Sequence, residues 1–401
     1  MKDHEVSQAK DIAVASKKAS ASSHVIAAES IQAEEVPTIP LDSLQTLSTL
    51  QPEVSVRAIS ATSVATLPAP LVVQSVEYQR GLGEWTRIWW DGLRPSYLPL
   101  ALLPVLLGSA LAWVASISAQ QPRGTFHAQR FLVALLAVAL LQLGANLLND
   151  YYDYLNGVDT SNALGPGNLI QQGLIRPTRI LSIGITLLVL GGLFGALVAM
   201  YGGLPAFLFG ALGLLGAYFY SATRHSLAAL TLGEVAGFWI FGPLLTLGAY
   251  VVQRGKIETL PLVCSISLGL LLASALYVND MRDMESDAQA RKHTLATLLG
   301  IRANRVVCTL LLLGAYVPMF FLGVPAHSPH LVLITLWTLP GMVVILLGLY
   351  RTTTPASLHI TMHLVLKLAT FFTILLIVAL TVSAYSHAFA LFSLPKWLFI
   401  F

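Results

Sequence analysis

Nine apolar runs, each long enough to cross about 30 Å of hydrocarbon, fill this 401-residue chain between residues 97 and 385. They lie near 97–118, 130–149, 179–201, 204–221, 230–252, 260–279, 305–324, 330–350 and 363–385. Backbone N–H and C=O groups inside a bilayer have no water to bond, so runs of this length fold as helices. The expected fold class is an all-α membrane protein of about nine transmembrane helices. Only Gly202-Gly203 separates the third run from the fourth, and the fifth contains Glu234 and Pro243. With 11% charged and 55% hydrophobic residues, the chain stands far from the roughly 25% charge of ordinary globular domains.

Residues 1–79 read differently. Nine acids outnumber five Lys and Arg there, and no aromatic precedes Tyr78. Such a segment is expected to be a disordered tail. It lacks both the apolar core of a signal peptide and the Arg-rich, acid-poor character of a transit peptide. Trp85, Trp89 and Trp90 with Arg87 and Arg94 mark 80–96 as an interfacial segment, and 386–401 forms a short second one after the last span. Basic residues near the spans gather on the side of the tail, among them Arg80, Arg176, Arg179, Arg302, Arg305 and Arg351. The other side holds fewer: Arg123, Arg130, Arg254, Lys256 and Lys396. The positive-inside rule therefore puts the N-terminus in the cytoplasm and the C-terminus on the opposite side of a cell (inner) membrane. A scattered net charge of +3 gives no basis for nucleic-acid binding.

Two of the runs end in similar acidic clusters, Asn149-Asp150-Tyr-Tyr-Asp153 after the second and Asn279-Asp280-Met-Arg-Asp283 after the sixth. An ionised carboxylate beside hydrocarbon costs at least a few kcal/mol, so a chain that places such a cluster twice calls for a cation between them. Both spans carry even numbers, so both clusters reach the same membrane face. Residues three or four apart share a helix side, which aligns Gln142, Asn146, Asn149 and Asp153 on one helix and Asn279, Asp283 and Asp287 on the other. Mg²⁺ takes oxygen ligands and commonly bridges carboxylates to substrate phosphates. Arg176, Arg224, Arg282, Arg291 and Lys292 stand within a few residues of the motifs as diphosphate ligands, although each also suits a headgroup contact or a positive-inside anchor. Asp159 follows the helix-breaking Asn156-Gly157, so its distance from the first cluster depends on a turn.

Helix-end Asp and Asn are frequent caps, and one NDxxD at a membrane surface is more often the start of a solvated loop. Duplication at the same internal spacing and on one face turns the balance toward a metal site. A transporter is the rival from another class, since intramembrane acids also mark ion pathways, but its sites more often lie near the midplane between inverted repeats. Gly165-Pro166-Gly167 lacks P-loop spacing, no GxGxxG or HExxH occurs, and the histidines are scattered as for surface or interface packing. Cys264 and Cys308 lie inside apolar runs with no CxxC spacing and read as small core residues. Lys367, two turns into the ninth span, reads as a snorkelling side chain.

NDYYDYLNGVD (149–159) together with NDMRDMESDAQARKHTLATLLG (279–300) resembles the UbiA-type intramembrane prenyltransferases. The likeness is strongest to the branch that prenylates 1,4-dihydroxy-2-naphthoate in menaquinone biosynthesis. It extends to GPGNLIQQGLIRP at 165–177 and LGEVAGFWIFGPLLTLGAYVVQ at 232–253, and covers about residues 85–385. The resemblance implies nine helices around a cavity and an enzyme moving a prenyl group from a polyprenyl diphosphate to an aromatic acceptor. It implies Mg²⁺ held by Asn149, Asp153, Asp283 and Asp287, with Asp150, Asp159 and Asn279 beside them, and catalysis by Asp153, Asp283 and Asp287. Tyr220 to Arg224 resembles the family's YxxxK loop with Arg for Lys, and Gln142, Asn146 and Tyr220 are the candidate substrate contacts. Two departures, Asp280 for the branch's usual Asn and Arg291 for its usual Gly, leave other acceptors open: 4-hydroxybenzoate, homogentisate, chlorophyllide or haem, or terpene cyclisation with none.

Overall fold

The structure is a computed structural model, and it describes residues 81–118, 126–157, 169–221, 227, 231–289, 292–324, 329–351 and 354–385. The expected tail of 1–79 and the C-terminal segment 386–401 lie outside the described residues. What is described is helical: α1 (Leu82–Leu93), α2 (Leu98–Ser118), α3 (Ala128–Leu155), α4 (Pro177–Ser221), α5 (Gly233–Trp239), α6 (Leu245–Arg254), α7 (Thr259–Gln289), α8 (Leu295–Gly314), α9 (Val317–Gly323), α10 (Leu339–Arg351) and α11 (Pro355–Tyr385).

Eight stretches among the described residues are long and apolar enough to cross a bilayer, and one of them, 177–220, is 44 residues long. At 1.5 Å per residue that is about 66 Å, roughly twice the hydrocarbon thickness. The excess resolves at Gly203, whose φ of 69° and ψ of −162° interrupt the helix just before Pro205. The two limbs then fold back on each other: a Cβ on Gly192, eleven residues before Gly203, would meet Leu214 Cδ2, eleven residues after it, at 3.4 Å. Counted this way the described helices make nine crossings, with the third and fourth dividing at the expected Gly202-Gly203.

The fifth crossing is built from α5 and α6 joined by a π-helical turn, Ile240–Leu244, that holds Pro243. A proline cannot donate to the ordinary helix ladder, and the wider turn absorbs its missing N–H without ending the span. Glu234 lies buried in the first turn of α5. The seventh helix begins at Leu295, ten residues before the apolar run, after Thr294 caps it by accepting from the Thr297 N–H at 3.2 Å. Gly300, at φ 71°, bends it, and the polar Arg302, Asn304 and Arg305 on its first turns conceal that start from hydropathy. The last helix likewise starts at Pro355, ahead of His359 and His363.

α7 is the axis of the fold, packed by α2, α5, α6, α8, α9 and α11. Its Leu268, Leu271, Tyr277 and Cys264 are fully buried in the main core with Leu107 of α2, Cys308 of α8 and Phe372 of α11. Both cysteines are free and buried, as their setting implied. Close approach comes from small residues: Gly242 of the π turn meets α7 so tightly that a Cβ would lie 2.7 Å from Gly269 Cα and 2.9 Å from Ser265 O. α1 lies across the end of α3, its Ile88, Trp85 and Trp89 packing with Leu147, Leu169 and Ile180, while Trp90 stays exposed.

Gly242→Ala is expected to force α7 and the π turn apart and to destabilise the protein by about 1–3 kcal/mol. Thermal unfolding in detergent checks this against Gly210→Ala, where a Cβ meets nothing within 4 Å and no loss is expected.

Candidate active site

The C-terminal ends of α3 and α7 run past their apolar segments by two to three turns and meet at one side of the bundle. Helices of 28 and 31 residues are longer than the roughly 20 needed to span, which carries the two motifs to the edge of the hydrocarbon. There Gln142, Asn146, Asn149 and Asp153 of α3 and Asn279, Asp283 and Asp287 of α7 line a single cavity of about 1280 Å³. Arg282, Lys292 and Tyr220 line it too, so ten of the sequence candidates come together.

Asp153, Asp283 and Asp287 each find a cation. Arg282 forks onto Asp283, Nε to Oδ1 at 2.7 Å and Nη2 to Oδ2 at 2.6 Å. Lys292 reaches across the cavity to Asp153 Oδ1 at 2.8 Å and lies 3.7 Å from Asp287 Oδ1, joining the first motif to the second. Its backbone helps to hold it there, since the Lys292 N–H donates to the Asp287 carbonyl at 2.8 Å. Tyr97 donates to Asn279 Oδ1 at 2.8 Å, and Asn279 donates to Asp283 Oδ2 at 3.3 Å.

Three candidates behave otherwise. Asp150 is fully buried and does not line the cavity; it faces Arg94, whose Nη2 donates to it at 2.6 Å. Its position next to Asn149 explains this, because adjacent helical residues point about 100° apart. Arg176 is exposed at the start of α4 and lies away from the cavity; its carbonyl accepts from the N–H of Arg179 at 3.0 Å. Asn146 does line the cavity but commits its amide elsewhere, donating to the Leu93 carbonyl at 2.9 Å and accepting from Gln142 at 3.0 Å, so it caps α1. Asp159, Arg224 and Arg291 lie outside the described residues.

Four contributors escaped sequence reasoning. Arg94 enters the cavity from the end of α1, held in the left-handed region at φ 51°, and also donates to Asn149 Oδ1 at 3.3 Å. An arginine directly before a proline, closing a Trp-rich helix, was the available signal. Tyr97 and Asp280 line the cavity as well. His359 of α11 contacts Arg282 Nη1 at 3.2 Å and stacks edge-on against His363, with ring centroids 4.6 Å apart. This pair buttresses Arg282 rather than serving as surface packing.

Among the described residues no three His, Cys, Asp or Glu side chains converge as a ready-made metal cage. The donors that do converge are all oxygens, Asn149, Asp153, Asn279, Asp283 and Asp287, which suits a hard cation sharing its shell with phosphate oxygens and not a soft transition metal. Among the described residues Arg94, Arg282 and Lys292 are each engaged with a motif carboxylate, Asp150, Asp283 and Asp153 in turn. A multiply charged anion that drew these cations off would leave the carboxylates in need of other positive charge.

Comparison with known proteins follows this geometry. The sequence profile of the UbiA prenyltransferase family matches residues 101–370. The 1,4-dihydroxy-2-naphthoate octaprenyltransferase of Haemophilus influenzae is 34% identical over 62% of this chain and 80% of its own length. The enzyme of that name from Mycobacterium tuberculosis is 33% identical over 64% and 81%. UbiA prenyltransferase domain-containing protein 1 of Danio rerio is 34% identical over 56% and 65%. Among solved structures, a UbiA homologue from Archaeoglobus fulgidus bound to GPP and Mg²⁺ aligns with a TM-score of 0.56 at 17% identity, over 76% of this chain and all of that one.

Arg94→Ala removes the guanidinium 2.6 Å from a carboxylate with no solvent exposure, and a loss of about 3 kcal/mol in stability is expected. Arg94→Ala combined with Asp150→Asn should recover much of that loss. A double-mutant cycle on thermal unfolding checks the pair, and additive losses would show that the two side chains are not coupled.

Proposed function

The chain belongs to the UbiA prenyltransferase family, and we propose that it transfers a polyprenyl group from a polyprenyl diphosphate to 1,4-dihydroxy-2-naphthoate, with Mg²⁺, giving demethylmenaquinol, the reduced form of demethylmenaquinone. The observation that carries this reading is the convergence of oxygen donors from both motifs with Arg94, Arg282 and Lys292 on one cavity otherwise walled by apolar and aromatic side chains. The naphthoate acceptor is supported by the names of the two bacterial relatives at 33–34% identity, and Mg²⁺ by the archaeal homologue that holds it with GPP. We assign the motif face to the cytoplasm on the distribution of basic residues.

Asn149, Asp153, Asn279, Asp283 and Asp287 are the ligands that would hold Mg²⁺. Bound there with the diphosphate, it supplies Lewis-acid stabilisation of the leaving group. Arg94, Arg282 and Lys292 donate to the diphosphate oxygens and offset the charge that builds as the allylic C–O bond breaks and its electron pair leaves with the diphosphate. Tyr97, Tyr220 and Phe241 surround the allylic cation with aromatic rings, of which Tyr220 and Phe241 meet edge-to-face at 6.1 Å. Leu100, Leu141 and Leu276 exclude water that would otherwise trap the cation. The electron-rich ring carbon forms the new C–C bond, and loss of the ring carboxyl as CO₂ returns the electron pair that restores aromaticity.

Membranes containing the protein, Mg²⁺, a polyprenyl diphosphate and either 1,4-dihydroxy-2-naphthoate or 4-hydroxybenzoate test this directly. A prenylated, decarboxylated naphthoquinol is expected, lost on chelation and reduced about 10²-fold or more in Asp153→Ala and Asp283→Ala. Consumption of 4-hydroxybenzoate in preference would reassign the acceptor, and absence of diphosphate release with either would overturn the enzymatic reading.

A further inference from the structure

Three basic side chains recur at intervals of four along α11: His359, His363 and Lys367. Residues four apart on a helix advance by about 6 Å and turn by about 40°, so such a row winds slowly around the cylinder. It begins inside, where His359 meets Arg282. It ends at Lys367, on the exposed face that α11 also presents through Ile360, Phe371 and Ile374. An ionisable side chain within a span is costly and commonly marks a site.

The hydrogen bonds of this row run in one direction. A guanidinium has no lone pair to offer, so in the 3.2 Å contact between Arg282 Nη1 and His359 Nδ1 the arginine donates and the ring nitrogen accepts. His359 Nε2 therefore carries the proton of a neutral ring, and it donates to His363 Nε2 at 3.3 Å. That in turn puts the His363 proton on Nδ1, where it meets no acceptor among the described residues. Lys367 follows one turn later, and helical side chains lean toward the N-terminus, so its ammonium reaches back toward His363. The charged side chains that act on His363 are Arg282 and Lys367, both cations. Among the described residues Lys367 forms no ion pair. Two donors, one of them charged, thus stand side by side, open to the lipid side and short of an anion.

We propose that His363 and Lys367 bind the carboxylate of the aromatic acceptor as it arrives from the bilayer, one oxygen on the Nδ1–H and the other on the ammonium. The inference rests on the acceptor assigned under the proposed function. A hydroxynaphthoate is an anion on a flat apolar ring; the two donors meet its charge, and Phe371, exposed one turn deeper on the same face, offers the ring an aromatic surface. Neither His363 nor Lys367 lines the charged cavity, so this site is separate from the one that receives the diphosphate. A phospholipid phosphate has the charge but not the depth. Along α11, His363 and Lys367 lie about 6 and 12 Å beyond the Arg282 contact at the hydrocarbon edge, further in than a headgroup is held.

Full-length protein in nanodiscs of phosphatidylcholine is titrated with 1-hydroxy-2-naphthoate and with 1-naphthol, which lacks the carboxylate, by naphthyl fluorescence. Lys367→Met and His363→Leu should each weaken naphthoate binding about tenfold, Lys367→Arg should retain it, and 1-naphthol should stay within about twofold throughout. In turnover, Lys367→Met should raise KM for the acceptor about tenfold and leave KM for the polyprenyl diphosphate unchanged, a split that a loosened α11 would not give. Naphthoate affinity and acceptor KM both unchanged in folded Lys367→Met would overturn the inference and leave the enzymatic reading standing. Displacement of the naphthoate by phosphatidylglycerol added to the discs would give the two donors to anionic lipid and overturn it as well. A diazirine-bearing naphthoate, photolysed on the unsubstituted protein and mapped by mass spectrometry, decides position without turnover. Label within 360–371 supports the site even if no acceptor is prenylated; label confined to other segments, or none, overturns it.

Discussion

A carboxylate at the edge of hydrocarbon persists only with a cation or donors at contact distance, and the charge pairs of this site are also what fastens distant segments of the chain together. Arg94 and Asp150, 56 residues apart, pin the end of α1 to α3. Lys292 and Asp153, 139 apart, draw the segment after α7 back over the end of α3. Tyr97 and Asn279, 182 apart, tie the start of α2 to α7. Apolar packing between helices in lipid gains little from the hydrophobic effect, so contacts of this kind carry an unusual share of the specificity that sets which helix ends meet.

The same pairs explain why the cavity suits a metal-bound diphosphate better than a bare one. Arg282 and Lys292 are already engaged with carboxylates. A diphosphate alone would have to draw Arg282 and Lys292 away from those carboxylates and leave the acids unpaired. On the proposed reading, a diphosphate that brought divalent cations would let the carboxylates hold the metal and would free Arg282 and Lys292 to donate to phosphate oxygens. His359, against the far side of Arg282, gives that guanidinium a neighbour on the side away from Asp283.

Much of this was legible in the sequence, for identifiable reasons. The spans follow from run length, the two-limbed α4 from Gly202-Gly203, and the meeting of the motifs from parity together with i, i+4 spacing. Asp150 was legible in principle, because a residue adjacent to Asn149 cannot share its helix face. Arg94, Tyr97 and His359 were not, since their roles arise from contacts 55, 182 and 77 residues away that no local pattern encodes. Nor do the starts of α8 and α11 follow from hydropathy, as Arg302, Asn304 and Arg305 in the first and His359 and His363 in the second interrupt the apolar pattern. Asn146 carries the right side chain on the right face, yet its amide is spent on the Leu93 carbonyl, a use visible only once α1 is seen to cross α3.

Glycine separates the two halves of the cavity system. Where Gly242 opposes Gly269, the absent side chain is replaced by neighbouring backbone, and the fifth crossing is locked to the central helix that carries the second motif. Where Gly195, Gly210 and Gly213 face one another's side of α4, the absent side chain is replaced by nothing, in a membrane protein whose helices would otherwise close on a seam of small residues. The first arrangement fixes the charged end of the site and the second leaves an apolar cavity of about 930 Å³ open beside it. An allylic diphosphate is itself divided this way, a polyanion joined through one carbon to a hydrocarbon chain. In the proposed reaction the bond that must ionise would fall at the boundary, with cations on one side to receive the leaving charge and an apolar wall on the other to keep the cation for the ring.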